Sequence, residues 1–315
     1  MSEEMRPNLE TDLWQYVESH KLNIENNLRA FLPLAPPYIQ TKFNEGVKYA
    51  LFSGGKRLRP ILTLLSAELV GGKPENVIPA AAAVEFIHTS SLIFDDLPCM
   101  DNASERRGKT SLHEQFGEGL SVLVAIGFLN AAYGLVFVNH RNSPERATRA
   151  HAEIVQCVGA AGMLGGQSVD LALAKSAGAD VLPPLNNNIK NADFNFESIR
   201  NLKTSALMRL ALRVGAILEG ANSFELANLL RFAELLGDAY QLRDDLDDLE
   251  EDTEIFASDQ AKKTFVLSQG HEKAGQKLKE ITEQAKNVLN DNFPDNLARR
   301  CLSQMTDYLA EKKSK

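Results

Sequence analysis

The sequence has few cysteines, and their spacing suggests no disulfide framework. The chain contains three of them, Cys99, Cys157 and Cys301, among 315 residues, and an odd number fits free thiols better than paired ones. A reducing compartment is the simplest setting for such a chain, so we expect a cytoplasmic protein. The acidic start lacks a signal-peptide core, and no uninterrupted apolar run approaches the ~18 residues of a transmembrane helix. We therefore expect no membrane span.

An excess of positive charge is also missing. The chain carries 34 basic and 42 acidic residues, a formal net charge of -8, which argues against a general nucleic-acid-binding surface. A small anionic ligand would therefore depend on local cations or on metal ions. No linker rich in Pro, Gly or Ser divides the sequence. We interpret residues 1–315 as a single domain, and a hydrophobic content of 44% is enough for a sizeable core.

What the sequence does contain is an apolar run that ends in carboxylates. The segment FIHTSSLIFDDLPCMDNASERRGK, residues 86–109, holds Asp95, Asp96 and Asp101, followed by Arg106, Arg107 and Lys109. Carboxylates held together repel one another, and a hard divalent cation with oxygen ligands relieves that repulsion. Mg2+ completes its octahedron with water and substrate phosphate, so the neighbouring cations favour a phosphorylated ligand. A solvated acidic helix end is the alternative.

A second acidic cluster strengthens the metal interpretation. Asp244, Asp245 and Asp248 close an apolar segment with helical spacing, and positions i and i+4 place the first and last carboxylates on one helix face. An acidic helix tip followed by a solvated loop is the simpler alternative. Two apolar helices that both end in paired aspartates favour a metal-bridged diphosphate site at the rim of a helical cavity.

A basic turn gives a third candidate. Ser53-Gly54-Gly55 is typical of a helix end, and Lys56, Arg57 and Arg59 follow it, before and around the start of the helix that Pro60 opens. Free N–H groups and the helix dipole add to such cations in binding phosphate. A basic surface turn is the alternative. His88 lies two turns before Asp95 on the same helix face, although a lone histidine is more often a core residue than a ligand.

Helical periodicity extends through most of the chain. The predicted helices span residues 9–32, 39–52, 60–72, 79–94, 120–138, 151–165 and 203–220, and a further one leads to Asp244. We expect one or two amphipathic helices after Val266 and a surface loop at 176–196. The segment 120–138 is apolar on most sides, so we expect it to be buried.

Seven short motifs in a fixed order carry a family resemblance. They are GGKRLRP at 54–60, DDLPCMD at 95–101, RRGKTSLH at 106–113, GGQSVDL at 165–171, KTSAL at 203–207, DDLDD at 244–248 and KKTFV at 262–266. In order and spacing, from about Tyr49 to Val266, the chain resembles the trans-isoprenyl diphosphate synthases. The resemblance implies an all-α, single-domain bundle of roughly ten or more helices around a central apolar cavity, the isoprenoid synthase fold. It also implies a homodimer.

The resemblance further implies the roles of individual residues. Three Mg2+ ions would be bound by the six carboxylates of the two acidic motifs: Asp95, Asp96, Asp101, Asp244, Asp245 and Asp248. The catalytic set would comprise Asp95, Asp96, Asp101, Arg106, Lys203, Asp244 and Lys262. The remaining substrate contacts would be Thr204 and Gln241, with isopentenyl diphosphate bound by Lys56, Arg59, His88 and Arg107. An alternative for Lys203 is a lysine at a helix start that opposes the helix dipole. Gln167 and Asp170 resemble the family in the motif GGQSVDL, and their alternative role is a buried polar network between core helices.

The implied reaction joins isopentenyl diphosphate head-to-tail to an allylic diphosphate. Ser91 and Ser90, four and five residues before the first aspartate, match the positions that set chain length in the family, and both are small. Phe86, one turn deeper, would stop a longer product. We expect geranylgeranyl diphosphate, with farnesyl diphosphate second. A noncatalytic regulatory subunit and a terpene cyclase are the other interpretations, but the first typically loses an aspartate motif and the second does not need the basic site.

Some positions depart from the family pattern. Ala103 and Ser104 stand where an acidic pair is frequent, Ile126 where Asp is frequent, and Arg200 where His is usual. None of them is a residue assigned to the metal. They leave turnover and partner preference open.

Overall fold

A computed structural model describes residues 12–139, 143–176, 202–251 and 270–310, with side chains for all of these except 170, 172–176, 202–204 and 248–251. Within these ranges the fold is all-α apart from one short hairpin. In chain order its elements are α1 (Asp12–Ala30), α2 (Phe43–Phe52), α3 (Leu58–Leu69), α4 (Pro74–Asp96), β1 (Glu105–Arg106), β2 (Lys109–Thr110), α5 (Leu112–Phe116), α6 (Glu118–Leu135), α7 (Pro144–Val158), α8 (Met163–Ser176), α9 (Leu202–Leu218), α10 (Ser223–Glu251), α11 (His271–Asn292) and α12 (Leu297–Ala310).

The chain divides into two compact units. The first-motif unit comprises Gln15–Val155 and Leu210–Asn222, and it carries the acidic motif that begins at Asp95. The second-motif unit comprises the described parts of Met1–Trp14, Gln156–Arg209 and Ser223–Lys315, and it carries the motif that begins at Asp244. The interpretation of residues 1–315 as a single domain stays a prediction.

Helix α4 is the core helix of the first-motif unit. It packs against α3 and α6, and small residues such as Ala80 and Ala83 leave it almost no exposed surface along its middle. The helix begins at Pro74, five residues before the predicted start at 79, because a proline at the first helical position loses no hydrogen bond. Glu219 accepts the backbone N–H of Lys73 at 3.1 Å and so binds the chain at this helix start.

Three other predicted helix boundaries were wrong. Helix α2 begins at Phe43, because the prolines at 36 and 37 turn the chain first. Helix α3 begins at Leu58 and not at Pro60. The predicted helix 151–165 is the junction of α7 and α8, where Gly162 lies so close to the Cys157 carbonyl that a side chain would collide with it.

Two helices of the described chain, α4 and α6, are long and apolar enough by composition to cross a membrane, with mean hydropathy of 1.5 and 1.4 over their most apolar windows. Of these windows, 78% of the first and 33% of the second is buried inside the protein. Burial on all sides makes α4 a core helix. The prediction that 120–138 is buried was wrong within one chain, because Leu123 and Ile126 of α6 are 57% and 50% exposed.

Helix α10 is the longest helix described in the second-motif unit, and it packs against α11 and α12. Leu229, Phe232 and Leu236 of α10 are buried at a spacing that keeps one face in the core. Helices α11 and α12 confirm the prediction of one or two amphipathic helices after Val266. The ring of Trp14 meets Tyr308 edge-on at 5.2 Å between centroids, which ties the start of α1 to α12.

The hairpin of β1 and β2 was not predicted from the sequence. Arg106 pairs with Lys109 across it, and the two turn residues, Arg107 and Gly108, have φ of 56° and 71°. Positive φ at both positions is typical of a type I′ turn, for which glycine is favoured at the second. Tyr49 of α2 donates a hydrogen bond to the Thr110 carbonyl at 2.8 Å, so the hairpin is fixed against the helices.

Candidate active site

The first acidic motif lies at the carboxyl end of α4. Asp95 and Asp96 occupy the last turn of the helix, and only 7% and 4% of their surfaces are exposed. A helix carboxyl end carries partial negative charge, and burial removes the water that would stabilise a carboxylate. Two adjacent aspartates are therefore costly here unless cations lie close to them.

The loop after α4 brings the third carboxylate back to the same end. The backbone N–H of Asp101 donates to the Asp95 carbonyl at 2.9 Å, and that of Ala103 donates to the Asp96 carbonyl at 3.2 Å. Asn102 takes a left-handed conformation, with φ of 50°, to make this return. Asp101 is exposed at the rim. Within the described ranges no three His, Cys, Asp or Glu side chains are grouped closely enough to hold a metal ion by themselves.

Arg106 is paired with the first motif. Its Nε donates to Asp96 Oδ1 at 2.9 Å, and its Nη2 donates to the same oxygen. The hydrogen bond to Asp96 is the main reason that the pKa of Arg106 is raised, and the charges of Asp96, Asp95 and Asp101 act in the same direction. The structure therefore pairs Arg106 directly with Asp96, beside the charges of Asp95 and Asp101.

A second group of cations surrounds His88, two turns earlier on α4. Arg59 Nη1 lies 3.3 Å and Arg107 Nη2 lies 3.5 Å from His88 Nε2. Arginine only donates, so Nε2 accepts and the ring proton belongs on Nδ1, to which no other described residue offers a hydrogen-bond partner. Desolvation first, and then the positive charges of Arg59 and Arg107, hold the pKa of His88 well below its usual value. His88 is therefore neutral at neutral pH.

The glycine turn joins this group to the hairpin. Gly54 and Gly55 have φ of 120° and 125°, which L side chains rarely adopt. The Gly54 carbonyl accepts hydrogen bonds from Arg107 Nη1 and, at 3.3 Å, from Arg57 Nη1. Lys56 lies on the same turn and is exposed. The predicted residues Arg59, His88 and Arg107 thus come together beside the turn that carries Lys56.

Arg57 is a residue whose role the sequence analysis missed. It is 8% exposed and forms ion pairs at 2.8 Å with both Glu25 of α1 and Glu85 of α4. Burial acts to lower the pKa of Arg57, but Glu85 and Glu25 outweigh that effect and the pKa is raised. Glu85 is the only acidic residue in the apolar run 79–94. A lone carboxylate inside an apolar helix is a signal for a buried ion pair.

The predicted chain-length residues lie along α4, one to three turns before Asp95. Phe86 and Ser90 are buried, and Ser91 donates to the His88 carbonyl at 2.9 Å. The ring of Phe86 packs against Phe128 of α6, which the sequence analysis did not name. Apolar positions on a different helix carry no local signal that would have identified Phe128.

The second acidic motif lies near the end of α10, in the other unit. Asp244 and Asp245 are half-buried, and Gln241 Nε2 donates to Asp245 Oδ1 at 3.0 Å. The structure does not describe the side chains of Asp248, Lys203 and Thr204, and Lys262 lies outside the described residues. Of the predicted loop at 176–196, Ser176 is the last residue of α8 and the rest lies outside the described residues. That the two acidic motifs serve one substrate stays a prediction.

Comparison with known proteins supports the family resemblance that the sequence motifs carry. A sequence model of the polyprenyl synthetase family matches residues 40–296. A chloroplastic geranylgeranyl pyrophosphate synthase of Capsicum annuum is 33% identical over 94% of this chain and 77% of that protein. The chloroplastic heterodimeric geranylgeranyl pyrophosphate synthase large subunit 1 of Arabidopsis thaliana is 33% identical over 95% of this chain and 79% of that protein. The crystal structure of an FPP/GFPP synthase of Zymomonas mobilis has a TM-score of 0.79, with 28% identity, covering 95% of this chain and 99% of that one.

Proposed function

The chain belongs to the polyprenyl synthetase family and is a prenyltransferase, and from this premise we propose that it condenses isopentenyl diphosphate with an allylic diphosphate. The observation that carries the proposal is the pair of charged groups beside α4, two turns apart along that helix. One holds Arg106 with the buried aspartates, and the other holds Arg59 and Arg107 around His88. A reaction between two diphosphates requires two such anion sites.

The allylic diphosphate occupies the site at the end of α4. The donor set there, Asp95, Asp96 and Asp101, consists of carboxylate oxygens, which Mg2+ prefers, and the buried pair at a helix carboxyl end calls for a cation. When bound, Mg2+ supplies positive charge to the leaving diphosphate. Arg106 donates to the oxygens of the leaving diphosphate, on which negative charge builds as the carbon–oxygen bond breaks. We extend the metal set to Asp244, Asp245 and Asp248, with three ions in all, on the resemblance alone.

Isopentenyl diphosphate occupies the site around His88. Arg59 and Arg107 donate to its diphosphate and Lys56 adds charge at the exposed edge, while neutral His88 accepts from both arginines at Nε2 and so orients them. The double bond of isopentenyl diphosphate attacks the allylic carbon, a carbon–carbon bond forms, and a proton leaves, taken up by the departing diphosphate. No protein base is needed.

The growing chain extends along α4 toward Phe86. The small side chains of Ser90 and Ser91 leave room for it, and the Phe86 ring ends the path. We propose geranylgeranyl diphosphate as the main product, in agreement with the names of the plant relatives, and farnesyl diphosphate as the second choice. The relative from Zymomonas mobilis is named for other products, so length is a property that this family varies.

A second copy of the chain covers the exposed face of α6. Leu123 and Ile126 lie three residues apart on this face and are 57% and 50% exposed. Exposed apolar side chains that are grouped in this way are typical of a helix face that a partner covers. We propose a homodimer. We also propose a cytoplasmic location, from the cysteine count, although the plant relatives are named as chloroplastic.

The decisive experiment is a product assay with the purified chain. The protein is incubated with Mg2+, isopentenyl diphosphate and each allylic primer in turn, and the products are separated by length after removal of phosphate. Elongation of a primer supports the proposal. A primer that ionises without isopentenyl diphosphate and gives a cyclic hydrocarbon indicates a terpene cyclase.

A subunit of a heteromeric synthase is the second candidate, favoured by the likeness to a protein named as a heterodimeric large subunit. The assay separates the two, because a noncatalytic subunit gives no product alone. Elongation by the chain alone contradicts a noncatalytic role.

A further inference from the structure

Arg57 directs its donors to the protein and away from any ligand. Nη1 bonds to Glu85 at 2.8 Å and to the Gly54 carbonyl at 3.3 Å, Nε bonds to Glu25 at 2.8 Å, and Nη2 bonds to the Leu51 carbonyl at 2.7 Å. A guanidinium has five N–H groups, and these contacts use four of them. Binding a diphosphate would break the ion pairs, so Arg57 is not a diphosphate ligand like its neighbours.

The backbone at Arg57 is held in an unusual conformation. Its φ is 53°, in the left-handed region, directly before α3 begins. Residues other than glycine enter this region at a cost in conformational energy, so the side-chain contacts must stabilise it. This conformation sets the direction in which the chain leaves Lys56 and enters the first turn of α3, where Arg59 lies.

The partners of Arg57 lie on the elements that carry the isopentenyl diphosphate site. Glu85 precedes His88 by three residues on α4 and so lies one turn away on the same side. The Gly54 carbonyl is shared between Arg57 and Arg107 of the hairpin. Glu25 adds α1, an element outside every motif that carries the family resemblance.

We propose that Arg57 is the positioning residue of the isopentenyl diphosphate site. It fixes the turn 53–57 against α4 and α1, so that Arg59 and Arg107 hold their donors beside His88 and toward one diphosphate. The inference rests on the proposed function and names a residue that controls one substrate only. The hydrogen bonds of Arg57 go to Glu25, Leu51, Gly54 and Glu85, and not to the aspartates or Arg106 of the allylic site.

The test measures both substrates in one set of variants. Arg57→Lys keeps the charge but loses the planar fork that reaches two carboxylates and two carbonyls. We expect the KM for isopentenyl diphosphate to rise by about 10- to 10²-fold, the scale of a small misplacement of binding groups, while the KM for the allylic diphosphate stays within about twofold. Glu25→Gln is expected to give a smaller rise in the same constant, because it weakens one of the two ion pairs.

Arg213→Lys is the matched control. Arg213 of α9 donates to both carboxylate oxygens of Glu153 of α7, at 2.9 and 2.6 Å, in the same unit. The Arg213→Lys variant measures how far the weakening of a partly buried arginine–glutamate ion pair changes the kinetics when the pair does not involve Arg57. Equal rises in both KM values, a fall in kcat alone, or the same profile for Arg57→Lys and Arg213→Lys would overturn the proposal.

Two further measurements keep the inference distinct from the proposed function. If the wild-type chain elongates no primer, the proposed function fails, and calorimetric binding of isopentenyl diphosphate then tests Arg57 directly. Weaker binding by Arg57→Lys than by Arg213→Lys supports the positioning role, and equal binding refutes it. Because Glu25→Gln removes no buried cation, it carries the test if the arginine variants do not fold.

Discussion

The rings of Phe86 and Phe128 lie 5.2 Å apart, one on α4 and the other on α6, and neither has any exposed surface. Such tilted aromatic pairs are favourable beyond their buried area, so the pair is a stiff element of the core. It lies one helical turn from Ser90, on the amino-terminal side. A product that grows along α4 past Ser90 would meet this pair first.

Ser90→Tyr should shorten the main product. Ser90 is 1% exposed, and an aromatic ring at this position would stand one turn nearer to the aspartates than Phe86 does. Chromatography of the products from one primer measures the shift from geranylgeranyl toward farnesyl diphosphate. An unchanged product distribution in a folded, active variant would refute the chain-length assignment.

Phe128→Leu should have the opposite effect and lengthen the product. The substitution removes an aromatic ring from the pair but keeps an apolar side chain, at a cost in stability below the ~3–5 kcal/mol of truncation to alanine. Phe232→Leu is the control, because Phe232 is equally buried in the other unit. Both variants lose stability, but a longer product from Phe128→Leu alone is the expected result. Equal product lengths in the two variants would exclude Phe128 from the path.

The helices were predictable to the extent that their signals are local. The apolar run before Asp95 predicted α4, but its start was misplaced because two prolines, Pro74 and Pro79, compete as start signals and the helix tolerates the second inside it. The hairpin escaped prediction because strands of two residues show no periodicity. Its turn dipeptide, Arg107-Gly108, was noted for its charge and not for its geometry.

The site was predictable where charge has a local pattern. The grouping of Arg59 and Arg107 with His88 was implied by the family resemblance, and the structure places both guanidinium groups within 3.5 Å of His88 Nε2. The anchoring of Arg57 by Glu25 did not follow, because an ion pair between residues 32 positions apart leaves no pattern in the sequence. Contacts of that kind emerge only from packing.

Asp96→Asn should lower kcat by on the order of 10²-fold or more, the scale expected when one electrostatic contact to a developing charge is lost. The amide retains the shape of the side chain but gives up the negative charge that pairs with Arg106 and would bind Mg2+. The measurement is kcat as a function of Mg2+ concentration. We expect a higher Mg2+ requirement together with the lower kcat. A wild-type Mg2+ profile in Asp96→Asn would argue against a metal ligand at this position.

Acidification should destabilise the protein through His88. Desolvation and the charges of Arg59 and Arg107, with those of Arg57 and Arg106 further away, depress the pKa of His88 in the folded state. Below about pH 6.5, the ordinary pKa of histidine, the unfolded chain therefore binds a proton that the folded chain does not, and stability falls as the pH falls. Above that pH this contribution to stability is fully present.

The measurement is Tm between about pH 7.5 and 5.5 for the wild type and His88→Gln. Glutamine does not titrate, so we expect the variant to lose less Tm on acidification than the wild type does. Parallel Tm curves for the two proteins would contradict a depressed pKa, because they would show that His88 binds its proton equally in the folded and unfolded states. Isopentenyl diphosphate should reduce the pH dependence of the wild type, because an anion beside the ring favours its protonated form.

Ile126→Glu should convert the proposed homodimer into a monomer. Ile126 and Leu123 form an exposed apolar pair on α6, and a carboxylate buried between two such faces would lose its water without gaining a partner. Sedimentation velocity measures the mass of each variant, and Leu22→Glu is the control, because Leu22 is 72% exposed on α1 and outside that face. We expect a dimer for the wild type and for Leu22→Glu, and a monomer for Ile126→Glu. A monomeric wild type would contradict the proposed homodimer. A dimer that survives Ile126→Glu would show that the two copies meet through a surface other than this face of α6.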